Sequence, residues 1–279
     1  INVSDGALSA SRSITVDILN ANEGPIITSN GGGDTAAIQI AENSVAVTTV
    51  TSIDPDVAQG SRTYSIAGGA DADLFGIQAS TGYLYFLSSR NFEAPADAGG
   101  NSVYDVVVAV SDGFNTPDTQ AIAVTVANVN EAVTITSGAA YAATENNTAV
   151  GIVTASDLDG DTIAYGISGG ADPALFTIDA ATAVLSFIGA PDHEAAADSG
   201  ADNVYNVTVS ATDGSLTATK AVAVTVSNVN ETLSFTSATS ASVSENGTAA
   251  MTVMAVDPEG AGITYAIAGG ADAASFSVD

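Results

Sequence analysis

The chain has 279 residues, 46% of them hydrophobic, which is enough apolar material for about two or three domains of ordinary size. It carries 32 acidic residues against four Lys and Arg, a formal net charge of −28. Such a surface repels nucleic acid and anionic membranes, which excludes both as partners. The absence of cysteine excludes disulfides and thiolate chemistry. No run of roughly 18 apolar residues is present to span a membrane.

In chain order, the predicted elements repeat themselves. Residues 1–23 hold one alternating run, SITVDIL, and end in NANE. Residues 24–131 and 132–231 each contain an xEN triplet, a GGAD motif followed by Phe, alternating runs and a closing NVNE. Residues 232–279 repeat only the first half of this order, from SEN to GGADAASF. Repetition at this period indicates a tandem array. Because the chain begins and ends in mid-repeat, we expect it to be a window from a longer array.

Each repeat is predicted to be all-β. In YNVTVSA, a period of two places Tyr205, Val207 and Val209 on one face of a strand. The same period groups two further sets: Ile122, Val124 and Val126, and Val222, Val224 and Val226. About seven short strands per hundred residues, separated by Gly-, Asp- and Asn-rich turns, are typical of an antiparallel sandwich.

The GGAD motif is interpreted structurally. Its aspartate is predicted to cap a short turn by accepting backbone N–H groups just ahead of a buried phenylalanine. The aspartates are Asp71, Asp172 and Asp272, and the phenylalanines are Phe75, Phe176 and Phe276.

Acidic residues recur at matching positions of the repeats. They are the glutamate of xEN, a DxD pair, a mid-repeat glutamate, a late aspartate and the linker glutamate. The first complete repeat has Glu42, Asp54, Asp56, Glu93, Asp112 and Glu131. The second has Glu145, Asp157, Asp159, Glu194, Asp213 and Glu231, and the last segment keeps Glu245, Asp257 and Glu259. A merely solvating acidic surface, as in a salt-adapted protein, needs no fixed positions, so the pattern favours divalent cations. Hard oxygen donors suit Ca²⁺, whereas one His and no Cys argue against zinc.

The order xEN, DxD, xxE, DG and Asn-x-Asn-acid resembles that of cadherin repeats. It resembles more closely the bacterial cadherin-like repeats of giant secreted (RTX-type) adhesins, over nearly all 279 residues. The resemblance implies an all-β fold of tandem cadherin-like, Ig-like Greek-key β-sandwiches of about seven strands each. Residues 24–131 and 132–231 would be complete repeats. Residues 1–23 would be the C-terminal end of a preceding repeat, and 232–279 the N-terminal part of a further one.

The resemblance also implies Ca²⁺ between successive repeats, held by the upper repeat, the linker and the lower repeat. The first junction would use Asn22, Glu23, Asp54, Asp56 and Asp112. The second would use Glu42, Glu93, Asn130, Glu131, Asp157, Asp159 and Asp213. The third would use Glu145, Asp192, Glu194, Asn230, Glu231, Asp257 and Glu259. Asn91, Asn128, Asn228 and Glu259 stand where the family pattern has Asp, so we expect two ions per junction rather than three.

The expected function is a calcium-binding structural and adhesive segment of a large extracellular bacterial surface protein, stiffened into a rod-like stalk or filament. The expected partners are calcium, homophilic or neighbouring repeats of the same array, and a cell-surface glycan or protein. The alternative is a carbohydrate- or protein-binding module of a secreted multidomain protein. The chain has no Trp and only 6% aromatic residues, which disfavours a sugar site.

An enzyme is not expected, because no nucleophile–base pair is apparent and His193 is interpreted as an exposed spacer between two ligands.

Overall fold

The computed structural model describes residues 1–56 and 62–279, which form two compact units, residues 1–129 and 130–279. The predicted all-β class is confirmed in both. In the first unit the strands are β1 (Asn2–Ser4), β2 (Ser9–Ser11), β3 (Ile26–Ile27), β4 (Thr35–Ala41), β5 (Ala46–Thr49), β6 (Ser52–Ile53), β7 (Thr63–Gly68), β8 (Phe75–Ile77), β9 (Tyr83–Phe86), β10 (Val103–Ser111) and β11 (Asp118–Ala127).

The strands of the second unit follow the same order. They are β12 (Thr134–Ile135), β13 (Ala140–Thr144), β14 (Ala149–Ile152), β15 (Ala155–Ser156), β16 (Ala164–Gly170), β17 (Phe176–Ile178), β18 (Val184–Phe187), β19 (Val204–Thr212), β20 (Thr217–Ser227), β21 (Ser234–Phe235) and β22 (Ala255–Val256). Across the described ranges, no helix is long and apolar enough to cross a membrane.

The first unit is a sandwich of two sheets. One sheet has the order β4-β11-β10-β7, in which β4 and β11 are parallel and the other pairs antiparallel. The other has the order β5-β9-β8, and β3 and β6 form a separate two-stranded pair. Alternate residues of β10, such as Tyr104 and Val106, meet Leu84 and Phe86 of β9 in the core. The period of two in the sequence therefore defines the buried face of each sheet.

The second unit repeats this arrangement. Its sheets have the orders β13-β20-β19-β16, again with the first pair parallel, and β14-β18-β17. Leu185 and Phe187 of β18 pack against Tyr205 of β19 in its core. All nine residues predicted to share a strand face are buried. The two-residue strands β12 and β15, and β21 and β22, form separate short pairs.

The GGAD prediction is wrong in its detail. Single 3-10 turns occur at Ala72–Leu74, Pro173–Leu175 and Ala273–Ser275, and none is capped by the side chain of its aspartate. Asp71 instead accepts the N–H of Ala98 at 2.6 Å and that of Asp105 at 2.8 Å. Asp172 makes the two equivalent bonds. These carboxylates therefore tie the turn to a distant loop and to the strand that follows it.

The phenylalanine after GGAD is buried in two of the three repeats. The ring of Phe75 lies tilted against that of Phe86 with centroids 4.4 Å apart, and Phe176 stacks at 4.5 Å on Phe187. Phe276 is 60% exposed, so the prediction that it is buried is wrong. The rings that cover its counterparts, Phe86 and Phe187, lie on β9 and β18.

Candidate metal centres

In the two complete repeats, the glutamate of the xEN triplet directly follows a strand, β4 before Glu42 and β13 before Glu145. Glu145 is buried and accepts two backbone N–H groups, from Val229 at 2.6 Å and His193 at 2.7 Å. Glu42 makes the same two bonds in the first unit. The N–H of His193 is the main reason why the pKa of Glu145 is lowered, with Val229 adding to it against the opposing effect of burial. Each oxygen keeps a second lone pair, so both carboxylates can still face a cation.

The asparagine of the xEN triplet has a conformational role. Asn43, Asn146 and Asn246 have φ angles of 59°, 58° and 65°. Asn tolerates this left-handed region better than most residues. The Nδ2 of Asn146 also donates a hydrogen bond to Oε1 of the linker glutamate Glu231. The triplet therefore turns the chain and supports the acidic cluster together.

The linker glutamate contacts the DxD motif through its backbone in three copies. The N–H of the glutamate donates to the second acid of the motif. The pairs are Glu23 with Asp56 at 2.5 Å, Glu131 with Asp159 at 2.7 Å, and Glu231 with Glu259 at 2.5 Å. The structure thus brings these predicted residues together in each repeat.

The linker asparagine contacts the late aspartate. The Nδ2 of Asn22 donates to Asp112 at 2.7 Å, and that of Asn130 donates to Asp213 at 3.0 Å. The N–H of Leu216 is the main reason why the pKa of Asp213 is lowered, and Asn130 adds to it. The pKa of Asp112 is lowered in the same way by N–H groups of its turn. Both aspartates are therefore ionised anions beside the linker.

Three glutamates of the second unit form a compact cluster. One carboxylate oxygen each of Glu145, Glu194 and Glu231 lie within 4.8 Å of one another. The Nδ2 of Asn228 donates to Oε1 of Glu194, and Nδ1 of His193 lies 3.3 Å from the same oxygen. Like charges this close repel one another, so the cluster requires positive charge or protonation.

Asp192 and Asn230, also predicted for the third junction, make hydrogen bonds to backbone groups. Oδ1 of Asp192 accepts the N–H of Ala195 at 2.9 Å. The Nδ2 of Asn230 donates to the carbonyl of Glu231 at 3.3 Å. Their side chains help to shape the segments that carry Glu194 and Glu231.

Three carboxylate oxygens in the DxD motifs are buried without a hydrogen-bond partner among the described residues. They are Oδ2 of Asp54, Oδ2 of Asp157 and Oε2 of Glu259. An unsatisfied buried anion is costly, and a hard cation is the partner that such an oxygen prefers. The residues present therefore fit Ca²⁺: every donor is an oxygen, and the motif recurs with an oxygen left over.

Mutual repulsion of the acids is also visible in their pKa values. The pKa of Glu23 is raised, because its carboxyl shares a hydrogen bond with Asp56 and faces the charge of that residue. The pKa of Asp257 is raised chiefly by the neighbouring carboxyl group of Glu259. Each pair holds a proton more tightly than a lone carboxylate does, and a bound cation would displace that proton.

The residues predicted for the second junction are divided between the units. Glu42 and Glu93 belong to the first unit, and Asn130, Glu131, Asp157, Asp159 and Asp213 belong to the second. Their joint use around one ion stays a prediction from the sequence.

Asp161 was missed by the sequence reasoning. One oxygen each of Asp157, Asp159 and Asp161 lie within 4.8 Å of one another. The turn between them contains Gly160 at φ 76°, and the N–H of Asp161 lies 3.4 Å from Oδ1 of Asp157. The signal was the extra acid in DLDGD, which the DxD motifs of the other repeats lack.

Three of the four Lys and Arg residues are hydrogen-bonded to neutral groups. Arg62 donates to the carbonyl of Ser52, and Lys220 donates to the carbonyl of Ser137. Nη2 of Arg90 donates to Oγ of Ser88 at 2.8 Å. These contacts hold the three cations at neutral partners.

Comparison with known proteins gives a fold but no sequence family. The chain matches no family model and no curated protein by sequence. Among solved structures it is similar to mouse cadherin-23 EC22–24, at 20% identity and a TM-score of 0.52, over 85% of this chain and 78% of that chain. It is similar to human CDH23 EC21–23 at 18% identity and a TM-score of 0.54, over 84% and 80% of the two chains.

A shorter structure agrees with these two. Human protocadherin-24 EC1–2 is 18% identical with a TM-score of 0.50, and the match covers 76% of this chain and all of that one. At these identities the likeness concerns the fold. The chain is built of tandem cadherin-like β-sandwiches.

Proposed function

We propose that the chain is a calcium-binding structural and adhesive segment of a large extracellular bacterial surface protein. Residues 24–131 and 132–231 act as complete repeats, flanked by parts of two others, and Ca²⁺ at the linkers stiffens the array as a rod-like stalk or filament. The observation that carries the proposal is the buried DxD oxygen left without a hydrogen-bond partner in each of three repeats (Asp54, Asp157 and Glu259). Each belongs to a motif that also accepts the N–H of a linker glutamate.

The third junction offers the most complete donor set. Glu145, Glu194 and Glu231 supply three carboxylates within 4.8 Å, and Glu259 supplies an oxygen next to the backbone of Glu231. Ca²⁺ takes six to eight oxygens in flexible geometry, so Asp257, Asn230 and water can complete the set. Bound calcium neutralises the charge that otherwise makes these carboxylates repel one another.

The location follows from the affinity expected of such sites. Extracellular modules bind calcium with a Kd of roughly 10⁻⁴–10⁻³ M, so they are filled outside cells and empty inside them. A chain without cysteine has no disulfide to stabilise it there, and metal takes that role. The bacterial surface context and the homophilic or neighbouring-repeat partners rest on the resemblance to cadherin-like adhesin repeats.

Calcium chelation tests this proposal. At 100 times the Kd, one bound ion stabilises the folded state by about 2.7 kcal/mol, so EDTA is expected to lower the Tm by several degrees and to expose the linkers 128–131 and 228–231 to protease. Exposed Asp73, outside every cluster, provides a matched control: Asp73→Asn removes one charge and is expected to respond to EDTA like the wild type. An unchanged Tm and unchanged linker cleavage on chelation would contradict the proposal.

A carbohydrate-binding module is the second candidate. Tyr83 and Tyr85 stack at 5.7 Å on the partly exposed side of β9, and flat aromatic surfaces suit sugar rings. Tyr85 has a structural duty as well, because its ring covers Gly76, where an added Cβ would lie 2.5 Å from it. Specific glycan binding that is lost in Tyr83→Ala would favour this candidate, and an empty glycan array would remove it.

A further inference from the structure

Residue 90 of the first unit and residue 191 of the second are structurally equivalent but chemically different. The carbonyl of Arg90 accepts the N–H of Asn43 at 2.8 Å, and that of Pro191 accepts the N–H of Asn146 at 2.9 Å. The backbone therefore follows the same course at both positions. The side chains differ: Arg90 carries a long cationic side chain, and Pro191 carries a short apolar ring.

In the first unit the guanidinium of Arg90 is buried against two aromatic rings. Its Cζ lies 5.0 Å from the centroid of Phe86 and 5.8 Å from that of Tyr104. The two rings meet edge to face at 5.1 Å. A guanidinium over aromatic rings is a favourable cation–π arrangement, and more so when it is desolvated.

In the second unit the same pair of rings is present without the cation. Phe187 and Tyr205 also meet edge to face at 5.1 Å. A cavity of about 300 Å³ opens beside them, and its lining includes Leu175, Pro191 and Asp192. Most of the remaining wall consists of small Ala and Gly side chains. This volume is at the low end of the roughly 300–1,000 Å³ range of small-ligand sites.

We propose that this cavity receives the guanidinium group of an arginine side chain from a partner protein. The first unit supplies that group from its own chain, whereas the second unit has the matching rings and an open volume. Asp192 places a carboxylate in the cavity lining, and the net charge of −28 attracts cationic partners. This interaction goes beyond calcium binding: its main contact is with the two rings, and Asp192, which is also a predicted calcium ligand, adds to it.

The test is a titration of the full 279-residue chain with N-acetyl-arginine amide, followed by NMR of isotope-labelled methyl groups. The methyls of Leu175 and Ile188 are expected to shift saturably, whereas those of the equivalent Leu74 and Leu87 stay still because Arg90 occupies their site. N-acetyl-citrulline amide, a neutral isostere, and N-acetyl-lysine amide are each expected to bind at least about tenfold more weakly. Equal binding of either control, or no saturable shift with arginine amide, would overturn the proposal.

Two variants make the result specific to the cavity. Pro191→Arg supplies the guanidinium from the chain itself and is expected to abolish the shifts at Leu175 and Ile188. Arg90→Ala opens the equivalent volume in the first unit, so arginine amide is expected to shift Leu74 as well. If Pro191→Arg does not fold, Arg90→Ala decides alone: no new shift at Leu74 overturns the proposal. Running both titrations in calcium and in EDTA separates this site from the metal centres, since the expected shifts occur in both.

Discussion

At the scale of the residue, the acidic side chains have two different duties. Glu145 uses both carboxylate oxygens to accept backbone N–H groups, so it holds the end of β20 and the mid-repeat loop together. Glu194 is more exposed, and the partners of its carboxylate are the side chains of Asn228 and His193. The hydrogen bonds of Glu145 serve the fold, and we propose that Glu194 serves the ion, although both residues are glutamate.

Two substitutions separate these duties. Glu145→Gln places an amide N–H₂ opposite a backbone N–H and leaves a donor unsatisfied, which costs about 1–3 kcal/mol. We expect a lower free energy of unfolding in both calcium and EDTA, measured by denaturant titration. Glu194→Gln removes one charge from the cluster, so it is expected to maintain or raise stability in EDTA and to weaken calcium binding about tenfold, measured by calorimetry. Loss of stability in EDTA for Glu194→Gln would refute this division.

The contacts between the linker glutamates and the DxD motifs could be anticipated because the acids recur in order. The role of Glu42 and Glu145 as acceptors for backbone N–H groups could not, since it depends on loops that lie far along the chain. Asp161 was missed because it occurs in one repeat only. The GGAD aspartates were assigned to a local turn, whereas their donors come from segments 27 and 34 residues away.

At the scale of the element, a buried aspartate organises the loop before β10. The carboxylate of Asp97 accepts the N–H groups of Asn101 at 3.0 Å and Ser102 at 3.0 Å. Burial raises the pKa of Asp97, but these bonds outweigh it, so the pKa lies below its ordinary value of 3.8. Stability from this group is full above pH 3.8 and is lost as the pH falls below that value through the folded-state pKa.

Unfolding measurements on one variant over a series of pH values check the direction of this pH dependence. Asp97→Asn is expected to lower the free energy of unfolding at pH 7, and its difference from the wild type is expected to shrink as the pH is lowered below about 4. Asp73→Asn is the matched control, since Asp73 is exposed, and it should show no such dependence. A difference that stays constant down to pH 2, measured by denaturant unfolding, would show that the charge of Asp97 is not involved.

Core packing of single strands can be tested in the same repeat. Leu185 of β18 is fully buried, whereas its neighbour Val184 is 41% exposed. Leu185→Ala is expected to cost about 2–5 kcal/mol, and Val184→Ala at most about 0.5 kcal/mol. Similar losses for the two variants in thermal unfolding would contradict the assigned face of β18.

The faces of β10, β11, β19 and β20 could be predicted because a period of two is a local property of the sequence. Their pairing could not be predicted in the same way. The parallel contacts β4–β11 and β13–β20 join segments far apart in the chain, and nothing within either segment specifies its partner. The resemblance to cadherin repeats implied Greek-key sandwiches, and the sequence pattern indicated antiparallel pairing, so neither predicted these two parallel pairs.

At the scale of the whole molecule, the charge of −28 has two interpretations. A solvating acidic surface is stabilised by general screening, whereas specific sites respond to calcium itself. We expect about 1 mM calcium to raise the Tm by several degrees, and sodium chloride or magnesium at matched ionic strength to raise it far less. Equal effects of the three salts in thermal unfolding would favour the solvating surface.

The most direct measurement is a crystal structure of the chain grown in calcium, with anomalous differences recorded to locate the ions. The account predicts anomalous peaks at about 2.3–2.6 Å from carboxylate oxygens of Glu145, Glu194 and Glu231 and from the buried oxygens of Asp54 and Asp157. A well-ordered map in which none of these carboxylates contacts an ion would contradict the proposal of calcium binding.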